Sequence, residues 1–553
     1  MAEIIYPIFI LTVLTVLAPI LGVWIYKFTN PDSKLPTILI RVENLWKKIT
    51  GTNSWNAQTP LEYFSTFFQF HVAGLAILWC ILFFQNYFTL NPAKISGMSW
   101  DLALNTAISF VTNTNWQAYS GEAQVSYFGQ SMGLALQNFL SASAGICVLL
   151  VISRAFGNAK ETIGNFWQDL YRLNFYIFLP LSVFLALLLI SEGVPQNYDA
   201  PVFASLVEGG SQSIPGGPAA SQIAIKQLGT NGGGFFGVNS AHPLENPTPF
   251  SNFLQTLAIL LIPTGCVFLY GKIVGSLKHA WVVFGVMLFL LVIGYSVAYY
   301  SELQSITSWE GKESRFHLAE STFWMSATTA ASNGSVNSMH DSYSPIGGMM
   351  GMLQIMMGEV IFGGVGAGMY GMVLFVLATV FLSGLMIGRT PEIFGKKIQK
   401  DVIKWTFIGL LIPNICILVF SSIAVSTDWG LEALTNRGPH GLSEILYAYA
   451  SASGNNGSAF AGLVADSIPY NLTLGFCMFL GRFGVIYSIF RIADLWLKAK
   501  KSENPEGSFR VDSFLFGSLL FFVLLILAGL SFFPVLSLGP ILESFLVGKE
   551  IYF

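Results

Sequence analysis

Charged residues are scarce in this sequence. Asp, Glu, Lys and Arg form 10% of its 553 residues, and hydrophobic residues form 53%, whereas charged residues make up about 25% of an ordinary soluble domain. A soluble chain of this length would divide into several domains with charged surfaces. The composition therefore excludes a soluble protein and predicts a polytopic membrane protein in contact with lipid. We expect no nucleic-acid partner.

Cysteine is also scarce, and the common motifs of energy-converting enzymes are missing. The five cysteines lie singly in apolar runs without CxxC or metal-ligand spacing, so we expect buried hydrophobic side chains, no disulfide framework and no metal. The sequence has no phosphate-binding GxxxxGK(S/T) loop, no Asp-Lys-Thr-Gly phosphorylation motif and no HExxH. We therefore expect no catalytic site and no cofactor in this chain. The amino terminus lacks the basic region of a signal peptide, which predicts a retained first span.

Long hydrophobic runs, in contrast, are abundant. A helix needs about 20 mostly apolar residues to cross the bilayer, and ten segments reach or approach that length. They lie at residues 5–26, 66–88, 130–152, 173–191, 252–274, 281–300, 352–385, 405–425, 470–492 and 514–533. The seventh is long and rich in glycine, so we expect it to be bent or broken.

Four short polar loops interrupt this apolar chain, at 112–117, 230–235, 332–335 and 455–458. A bilayer accepts irregular backbone only where protein buries it or where it lines a watery path. Channels use rings of backbone carbonyl groups to replace the water around a potassium ion. One Asn-Gly pair alone would be an ordinary turn, but four loops in register with pairs of spans predict a pore with backbone walls.

Each loop belongs to a repeated unit of span, short amphipathic stretch, polar loop and span. The stretches cover 101–111, 221–229, 320–331 and 443–453; they are too short to cross the bilayer and are typical of re-entrant pore helices. Each would aim the roughly half negative charge of its carboxyl end at the following loop. We predict an all-α polytopic membrane protein with ten transmembrane helices and four span–pore helix–span repeats around one pore. The divisions are 1–60 for the first span and a cytoplasmic loop, 61–165, 166–278, 279–398 and 399–500 for the four repeats, and 501–553 for the last span and an outer tail.

Positive charge predicts the orientation. Lys and Arg are concentrated in the connections after the first, third, fifth, seventh and ninth spans. The side richer in these residues faces the cytoplasm. We therefore expect both termini outside and the four polar loops open toward the outside.

The loop sequences suit a site that binds and releases a monovalent cation. Glycine permits positive φ and Asn tolerates it better than most residues, so successive carbonyl groups can point at one axis. Three loops contain Asn-Gly, and the first uses Asn113-Thr114-Asn115 instead. None of the four core triplets carries a charge that would trap the ion. We expect Trp116 and Phe235 to brace the loops by packing.

Several longer motifs surround these loops: NTNWQ at 113–117, GTNGGGFF at 229–236, AHPLENPT at 241–248 and GRTPE at 388–392. With them the whole chain resembles the potassium-binding subunit of the bacterial Kdp-type potassium-transporting ATPases, members of a superfamily of K+ transporters. The resemblance implies a K+ filter with Gln117 near its entrance. The sequence departs from the family pattern at Gly454, where a polar residue is expected. The implied filter residues are Asn113, Thr114, Asn115, Thr230, Asn231, Gly232, Ser332, Asn333, Gly334, Asn455, Asn456 and Gly457.

The resemblance also implies a mechanism and partners. The subunit would select K+ from the outside, and a gate would close the direct route to the cytoplasm. The ion would then pass through an intramembrane tunnel into a P-type ATPase catalytic subunit, which uses ATP and Mg2+. Small single-span subunits would complete this complex in the bacterial cytoplasmic (inner) membrane.

Other functions remain to be compared with this one. A stand-alone K+ channel or symporter of the same superfamily would share the four loops and need no ATPase. A membrane-embedded enzyme is disfavoured because no nucleophile–base or metal-ligand cluster recurs near the loops. A structural scaffold is a further alternative, but that role does not explain four polar breaks in apolar segments.

The seventh span contains the candidate gate. It carries Gly363, Gly364, Gly366, Gly368 and Gly371, and each interior glycine costs a helix about 1 kcal/mol relative to alanine. We predict a broken helix over 363–371 that blocks cytoplasmic exit; close packing between helices is the alternative reading.

Charged residues near the gate are further candidates. We predict that Glu359 lines the ion path, since intramembrane carboxylates are functional candidates by default; a hydrogen-bonded structural acid is the alternative. The resemblance suggests that Arg389 repels cations at the cytoplasmic side, although it could be one more positive-inside anchor. Arg482 is expected to snorkel or to pair with a carboxylate, and His71 to be a satisfied core histidine.

Overall fold

The computed structural model describes residues 2–30, 36–49, 55–157, 161–305, 309–388, 390–499 and 510–549. Helices dominate this part of the chain. In chain order they are α1 Ala2–Thr29, α2 Thr37–Ile49, α3 Pro60–Phe83, α4 Trp100–Val111, α5 Gly121–Gln124, α6 Leu136–Phe156, α7 Phe166–Leu173, α8 Leu179–Ser191, α9 Ala219–Leu228, α10 Pro249–Val274, α11 Leu277–Gln304, α12 Leu318–Ala330, α13 Pro345–Met356, α14 Ala367–Ile387, α15 Lys400–Val425, α16 Asp428–Leu431, α17 Gly438–Gly454, α18 Ile468–Lys498, α19 Phe514–Leu536 and α20 Leu542–Val547.

Short π-helical segments and two small hairpins complete the fold. The π-helical segments lead into α6 (Gly129–Ala135) and join α7 to α8 (Asn174–Phe178) and α19 to α20 (Ser537–Ile541). The antiparallel hairpins pair β1 (Val202–Ser205) with β2 (Ser211–Ile214) and β3 (Glu392–Ile393) with β4 (Lys396–Lys397).

Ten helical stretches among the described residues are long and apolar enough to cross a membrane, which confirms a multi-pass membrane protein. Their outward faces carry large exposed apolar side chains such as Met386, Phe514 and Leu530, as helices surrounded by lipid do. The stretches are Ile5–Thr29, Pro60–Phe83, Gly129–Phe156, Phe166–Ser191, Pro249–Val274, Leu277–Gln304, Ala367–Ile387, Lys400–Val425, Ile468–Lys498 and Phe514–Val547.

The four predicted pore helices are α4, α9, α12 and α17. They have 12, 10, 13 and 17 residues, lie between spans and end at the polar loops. Ser99 begins the first of them, because its hydroxyl accepts a hydrogen bond from the Leu102 amide. The end of the fold at which these helices begin is called the outer end. The repeated architecture expected from the sequence is therefore present, whereas the residue limits assigned to each repeat remain a prediction.

The seventh span is broken, as expected, but at a different place. Helix α13 ends at Met356 and α14 begins at Ala367, so the spanning part is Ala367–Ile387 and not 352–385. The non-helical segment covers 357–366 and is called the break loop. Gly368 and Gly371 lie inside α14, so the predicted break over 363–371 was placed several residues too late.

Close helix contacts surround the pore helices. A Cβ atom on Gly22 of α1 would lie 2.7 Å from the carbonyl oxygen of Gly265 on α10, so glycine permits these two helices to touch. Buried ion pairs join other elements: Arg154 of α6 binds Asp169 of α7, and Arg172 of α7 binds Glu43 of α2.

Two expectations about single side chains have different outcomes. His71 is buried, and its Nδ1 lies 2.7 Å from the Phe67 carbonyl oxygen, which confirms a satisfied core histidine. Four cysteines are buried as predicted, but Cys80 is exposed, because its side chain lies on an outer face of α3.

Candidate functional site

Each pore helix ends in the same hydrogen-bonded turn, and each turn carries one predicted filter triplet. The amide of the second triplet residue donates to the carbonyl oxygen five residues earlier, which is the bond of a Schellman C-cap. These bonds run from Thr114 to Ser109 (2.9 Å), from Asn231 to Lys226 (2.8 Å), from Asn333 to Thr328 (3.0 Å) and from Asn456 to Ser451 (2.8 Å). The repeat seen in the sequence is therefore a repeat of backbone geometry.

The first residue of every triplet adopts a left-handed backbone conformation. The φ angles are 66° for Asn113, 47° for Thr230, 51° for Ser332 and 60° for Asn455. This position of the cap usually holds glycine, and another residue costs roughly 1–2 kcal/mol there. Four left-handed residues other than glycine thus lie close together, and strained residues of this kind cluster at functional sites in proteins.

The third position behaves as predicted in three loops. Asn115, Gly334 and Gly457 have φ of 55°, 77° and 99°, which Asn and Gly tolerate. The prediction is wrong for Gly232, because the left-handed residue of the second loop is Gly233, with φ of 74°. Gly232 serves a different purpose, which its neighbours show.

Carbonyl groups from the other three loops converge on Gly232. A Cβ atom there would lie 2.5 Å from the Thr114 carbonyl oxygen, 2.9 Å from that of Asn456 and 3.0 Å from that of Asn333. The middle residue of each of the other triplets thus contributes its carbonyl group to one point. Uncharged oxygens arranged around a point are the ligands that replace the hydration shell of K+ in selective pores.

Side-chain hydrogen bonds link the loops into a closed ring. In order around the ring, Asn113 Nδ2 donates to the Thr230 carbonyl oxygen (3.0 Å), Asn333 Nδ2 to that of Asn231 (3.3 Å), Ser332 Oγ to that of Asn455 (3.0 Å), and Asn455 Nδ2 to Thr114 Oγ1 (3.0 Å). Every neighbouring pair of loops is therefore joined directly. The four loops that carry the twelve predicted residues are therefore held to one another.

Gln117 joins the first loop to the second beyond the triplets. Its Nε2 donates to the Gly234 carbonyl oxygen at 3.1 Å, and its Oε1 accepts from the Gly234 amide at 2.7 Å. Trp116 and Phe235 are buried in apolar clusters beside these loops. Their packing agrees with the expectation that they brace the loops.

A buried ion pair lies behind the second loop. Lys226 Nζ binds Glu245 Oε1, and both side chains are almost fully buried. Ser240 Oγ donates to the same carboxylate at 2.9 Å, and Gln255 Nε2 donates to the Glu245 carbonyl oxygen at 3.0 Å. Since Lys226 also supplies the carbonyl group of the second C-cap, the pair attaches the run 241–248 to the end of a pore helix. Sequence reasoning missed this role, although a lysine in an otherwise uncharged pore helix could have indicated it.

Two further missed residues lie on α6. Ser141 Oγ donates to Asn113 Oδ1 at 2.7 Å, and Asn115 Nδ2 donates to Asn138 Oδ1 at 2.6 Å. Polar side chains in the otherwise apolar third span were the available indication. They hold the first loop against the helix that follows it.

The break loop lies directly against the triplets. The Gly363 amide donates to the Ala330 carbonyl oxygen at 3.0 Å, and the Val365 amide donates to Thr230 Oγ1 at 2.9 Å. A Cβ atom on Gly364 would lie 3.5 Å from Ser332 Cβ. The loop thus contacts the second and third filter loops and the end of the third pore helix.

The backbone of the break loop is strained like that of the triplets. Gly358, Glu359, Phe362, Gly363 and Gly366 all have positive φ. Two of these are not glycine, and each of those costs roughly 1–2 kcal/mol in this conformation. A strained irregular loop at membrane depth, next to a ring of carbonyl groups, is the arrangement expected of a constriction in an ion path.

Glu359 is buried, and its Oε1 has no hydrogen-bond partner among the described residues. A Cβ atom on Gly454 would lie 3.2 Å from this oxygen. Gly454, where the sequence analysis expected a polar residue, therefore leaves room for the carboxyl group. Arg482 is also buried, and its Nη1 donates to Tyr370 Oη at 3.4 Å, so a hydroxyl is its hydrogen-bond partner. Arg389 lies outside the described residues.

The first pore helix begins with a carboxylate at its outer end. Asn471 Nδ2 donates to Asp101 Oδ2 at 2.8 Å. Partial burial raises the pKa of Asp101, but the hydrogen bonds from Asn471 and Ser99 outweigh burial and lower it. Asp101 is therefore ionised at neutral pH, and its charge complements the positive amino end of the helix.

Comparison with known proteins gives a consistent result. Residues 8–545 match the family described as "Potassium-transporting ATPase A subunit". The chain is 51% identical over 549 residues to the "Potassium-transporting ATPase potassium-binding subunit" of Leptospira interrogans serovar copenhageni, covering 98% of each protein. It is 48% identical over 544 residues to the protein of the same name from Pseudomonas aeruginosa, covering 96% of each.

Among solved structures, the potassium transporter TrkH from Vibrio parahaemolyticus matches with a TM-score of 0.48 and 13% identity, over 75% of this chain and 83% of TrkH. The sequence matches are far closer and extend over almost the whole length. On them, the chain belongs to the potassium-transporting ATPase A subunit family.

Proposed function

We propose that this chain is the subunit that binds and selects K+ from the outside for an ATP-driven K+ importer in the bacterial inner membrane. The relatives that it matches are named potassium-binding subunits of potassium-transporting ATPases. The observation that carries the proposal is the convergence of the Thr114, Asn333 and Asn456 carbonyl groups on Gly232. The four loops enclose a site without formal charge, in which peptide oxygens replace water.

Selection follows from the rigidity of this ring. Each loop is fixed by its C-cap to a pore helix and by a side chain to the next loop. The carbonyl ends of the four helices point at the loops and add roughly half a negative charge each. The ring therefore attracts a monovalent cation without the tight binding that a carboxylate would cause.

The break loop, with Gly363, Gly364, Gly366 and Glu359, acts as the gate. It lies against the filter loops and closes the straight path toward the cytoplasm. The ion leaves sideways, through a tunnel within the membrane, into a P-type catalytic subunit. That subunit hydrolyses ATP with Mg2+ and so provides the energy for uptake, since we expect no energy-converting site in this chain. Small single-span subunits complete the complex. Arg389 follows α14 and adds positive charge on the cytoplasmic side, and both termini face outward.

The experiment is K+-stimulated ATP hydrolysis by the purified complex carrying Gly232→Ala. The added methyl group would overlap three carbonyl oxygens, and such overpacking costs typically about 1–3 kcal/mol, so we expect the K+ concentration for half-maximal activity to rise about 5- to 150-fold. Gly285→Ala on α11 is the matched control, because a Cβ atom there has no neighbour within 4 Å. Equal K+ dependence in both variants would refute the filter.

The same preparation tests the alternative of a stand-alone channel or symporter. An ATP-hydrolysing P-type subunit should co-purify with the chain. Transport of K+ by the chain alone, with no ATPase bound and no requirement for ATP, would decide for the alternative.

A further inference from the structure

A compact cluster of one histidine and three carboxylates lies at the outer end of the fold, away from the filter triplets. His440 lies in the first turn of the fourth pore helix. Its Nε2 is 3.1 Å from Asp341 Oδ1, and its Nδ1 is 2.8 Å from Glu543 Oε1. Glu444, one turn further along the helix, completes the cluster. Three separate segments, the turn His340–Ser342, α17 and α20, thus bring four ionisable side chains together.

The cluster has more negative charge than its own histidine can neutralise. Asp341, Glu444 and Glu543 are all buried, and with the three carboxylates ionised even a protonated His440 would leave a net charge of two negative units. Buried carboxylates without matching positive charge are costly unless they bind a cation. The charge balance of the cluster is therefore incomplete.

One carboxylate oxygen has an open bonding position. Glu444 is fully buried, and its Oε1 accepts from Asn436 Nδ2 at 2.8 Å, but its Oε2 has no hydrogen-bond partner among the described residues. Gly462 borders the same space: a Cβ atom there would overlap Glu444 Oε1 and lie 2.8 Å from Asp341 Oδ2. The absence of a side chain at Gly462 lets Asp341 and Glu444 approach each other there, and the unpartnered Glu444 Oε2 is available to a cation.

We propose that His440, Asp341 and Glu444 bind one divalent transition-metal ion at the outer end of the pore. One ligand atom from each of these residues lies within 4.8 Å of the others, so small side-chain rotations bring all three onto an ion with bond lengths of about 2.0–2.2 Å. An imidazole together with carboxylates suits Zn2+ and its first-row neighbours better than K+ or Mg2+.

Glu543 has a supporting role in this site. A metal-bound histidine usually donates its second ring N–H to a carboxylate, which fixes the ring and its tautomer. Glu543 Oε1 is in position to accept from His440 Nδ1 at 2.8 Å. His440 Nε2 is then the atom directed at Asp341 and at the ion.

The site is connected to the fourth filter loop. Tyr447, on the same pore helix, hydrogen-bonds Ser458 through their hydroxyl groups at 2.7 Å, and Ser458 Oγ donates to Asn456 Oδ1 at 2.5 Å. The Phe460 ring stacks on both His440 and Tyr447. A change at the cluster therefore reaches Asn456 through a continuous series of contacts.

Occupancy should weaken K+ binding. Replacing the His440 proton with a divalent ion adds one net positive charge. The first residue of the fourth triplet lies eleven positions after Glu444, which is about 16 Å along a helix. At an effective dielectric constant of about 20, one charge at that distance weakens binding of a monovalent cation about fivefold. Metal at the outer end would thus reduce K+ uptake without blocking the pore.

The test begins with direct binding, which does not depend on transport. Purified, tag-free complex is treated with chelator and dialysed against micromolar 65Zn2+. We expect unmodified protein to hold one more Zn2+ than the His440→Gln variant. His317→Gln is the matched control, because His317 is an exposed histidine outside the cluster, and it should hold as much as unmodified protein. If His440→Gln fails to assemble, Asp341→Asn replaces it, and its loss of Zn2+ is expected to be the same.

Equal Zn2+ content in unmodified protein and in the cluster variants would overturn the site. Displacement of the Zn2+ by equimolar Ca2+ would overturn its assignment to a transition metal. The kinetic arm rests on the proposed function: Zn2+ should raise the half-saturating K+ concentration about fivefold in unmodified complex and leave His440→Gln unaffected. Binding without that shift would overturn the link to K+ entry but not the filter, which Gly232→Ala tests separately.

Discussion

Thr230 joins the second triplet to the break loop by a hydrogen bond, and its hydroxyl offers a sharp test of that connection. Thr230 Oγ1 accepts a hydrogen bond from the Val365 amide at 2.9 Å, and both residues are almost completely buried. Thr230→Val keeps the size and the branching of the side chain. It removes the acceptor and leaves the Val365 amide without a partner.

The cost of that loss sets the expected effect. A buried donor left unsatisfied costs about 1–3 kcal/mol, which corresponds to an increase of about 5- to 150-fold in the population of an opened break loop. If the loop is the gate, passive ion flow should increase by a similar factor. Thr230→Ser retains the hydroxyl and should change the flow little.

Passive 86Rb+ uptake into proteoliposomes without ATP measures this flow. The complex with Thr230→Val should admit ions faster and hydrolyse more ATP per ion accumulated. Its thermal unfolding should be followed in parallel, so that a leak caused by general instability is recognised. Uptake within twofold of the unmodified complex, in a variant that is fully assembled, would refute the role of this hydrogen bond in closing the gate.

Three further substitutions test other parts of the site. Glu359→Gln removes the carboxyl group and keeps the shape of the side chain, so we expect weaker K+ stimulation of ATP hydrolysis at an unchanged unfolding temperature. Unaltered affinity and coupling would remove Glu359 from the ion path. Lys226→Met leaves Glu245 buried and unpaired, which costs about 3–5 kcal/mol, so we expect a large drop in the thermal stability of the complex. Adding Glu245→Leu should restore part of that stability, and no restoration would argue against the pair. Gln117→Leu removes two hydrogen bonds to Gly234, worth about 0.5–1.5 kcal/mol each, and should raise the half-saturating K+ concentration at least several-fold. A normal K+ dependence would contradict a role for Gln117 at the filter.

Much of this architecture could be predicted because the bilayer restricts what a sequence can do. Apolar runs of sufficient length have to be helices, and the four polar loops were recognisable against that background. The carboxyl ends of the pore helices were located to within a residue or two, since a helix that meets Asn-Gly or a similar triplet stops there. Local sequence was therefore sufficient for the elements that repeat.

The break loop was less predictable because its position depends on contacts that are remote in sequence. Glycine content favoured a break over 363–371, yet Gly368 and Gly371 are helical. Glu359 and Phe362, which sequence alone would place in a helix, have positive φ instead. The loop takes this shape because its amides bond to Ala330 and Thr230, and no local pattern indicates such partners.

Gly232 shows the same limit within the filter. Its conformational freedom was the predicted reason for a glycine at that position, but its φ is not in the left-handed region. The structural reason is the approach of three carbonyl oxygens from other loops. Similarly, the buried partner of Lys226 lies in a motif whose purpose was unknown from the sequence, because buried ion pairs are recognised only when both members are seen together.

The first residue of each triplet explains why strain at the filter is tolerated. Glycine would relieve the left-handed position, yet Asn113, Thr230, Ser332 and Asn455 occur there. Each of these side chains forms a hydrogen bond that glycine could not form. Asn113, Ser332 and Asn455 bond to a neighbouring loop.

Thr230 bonds to the break loop instead, and Asn333 joins the second and third loops. A net gain of about 1 kcal/mol per hydrogen bond is comparable with the roughly 1–2 kcal/mol of strain at each position. The ring is therefore close to energetic balance. The same side chains that strain the backbone hold its carbonyl groups in place, and Thr230, which departs from the pattern, bonds the second triplet to the break loop.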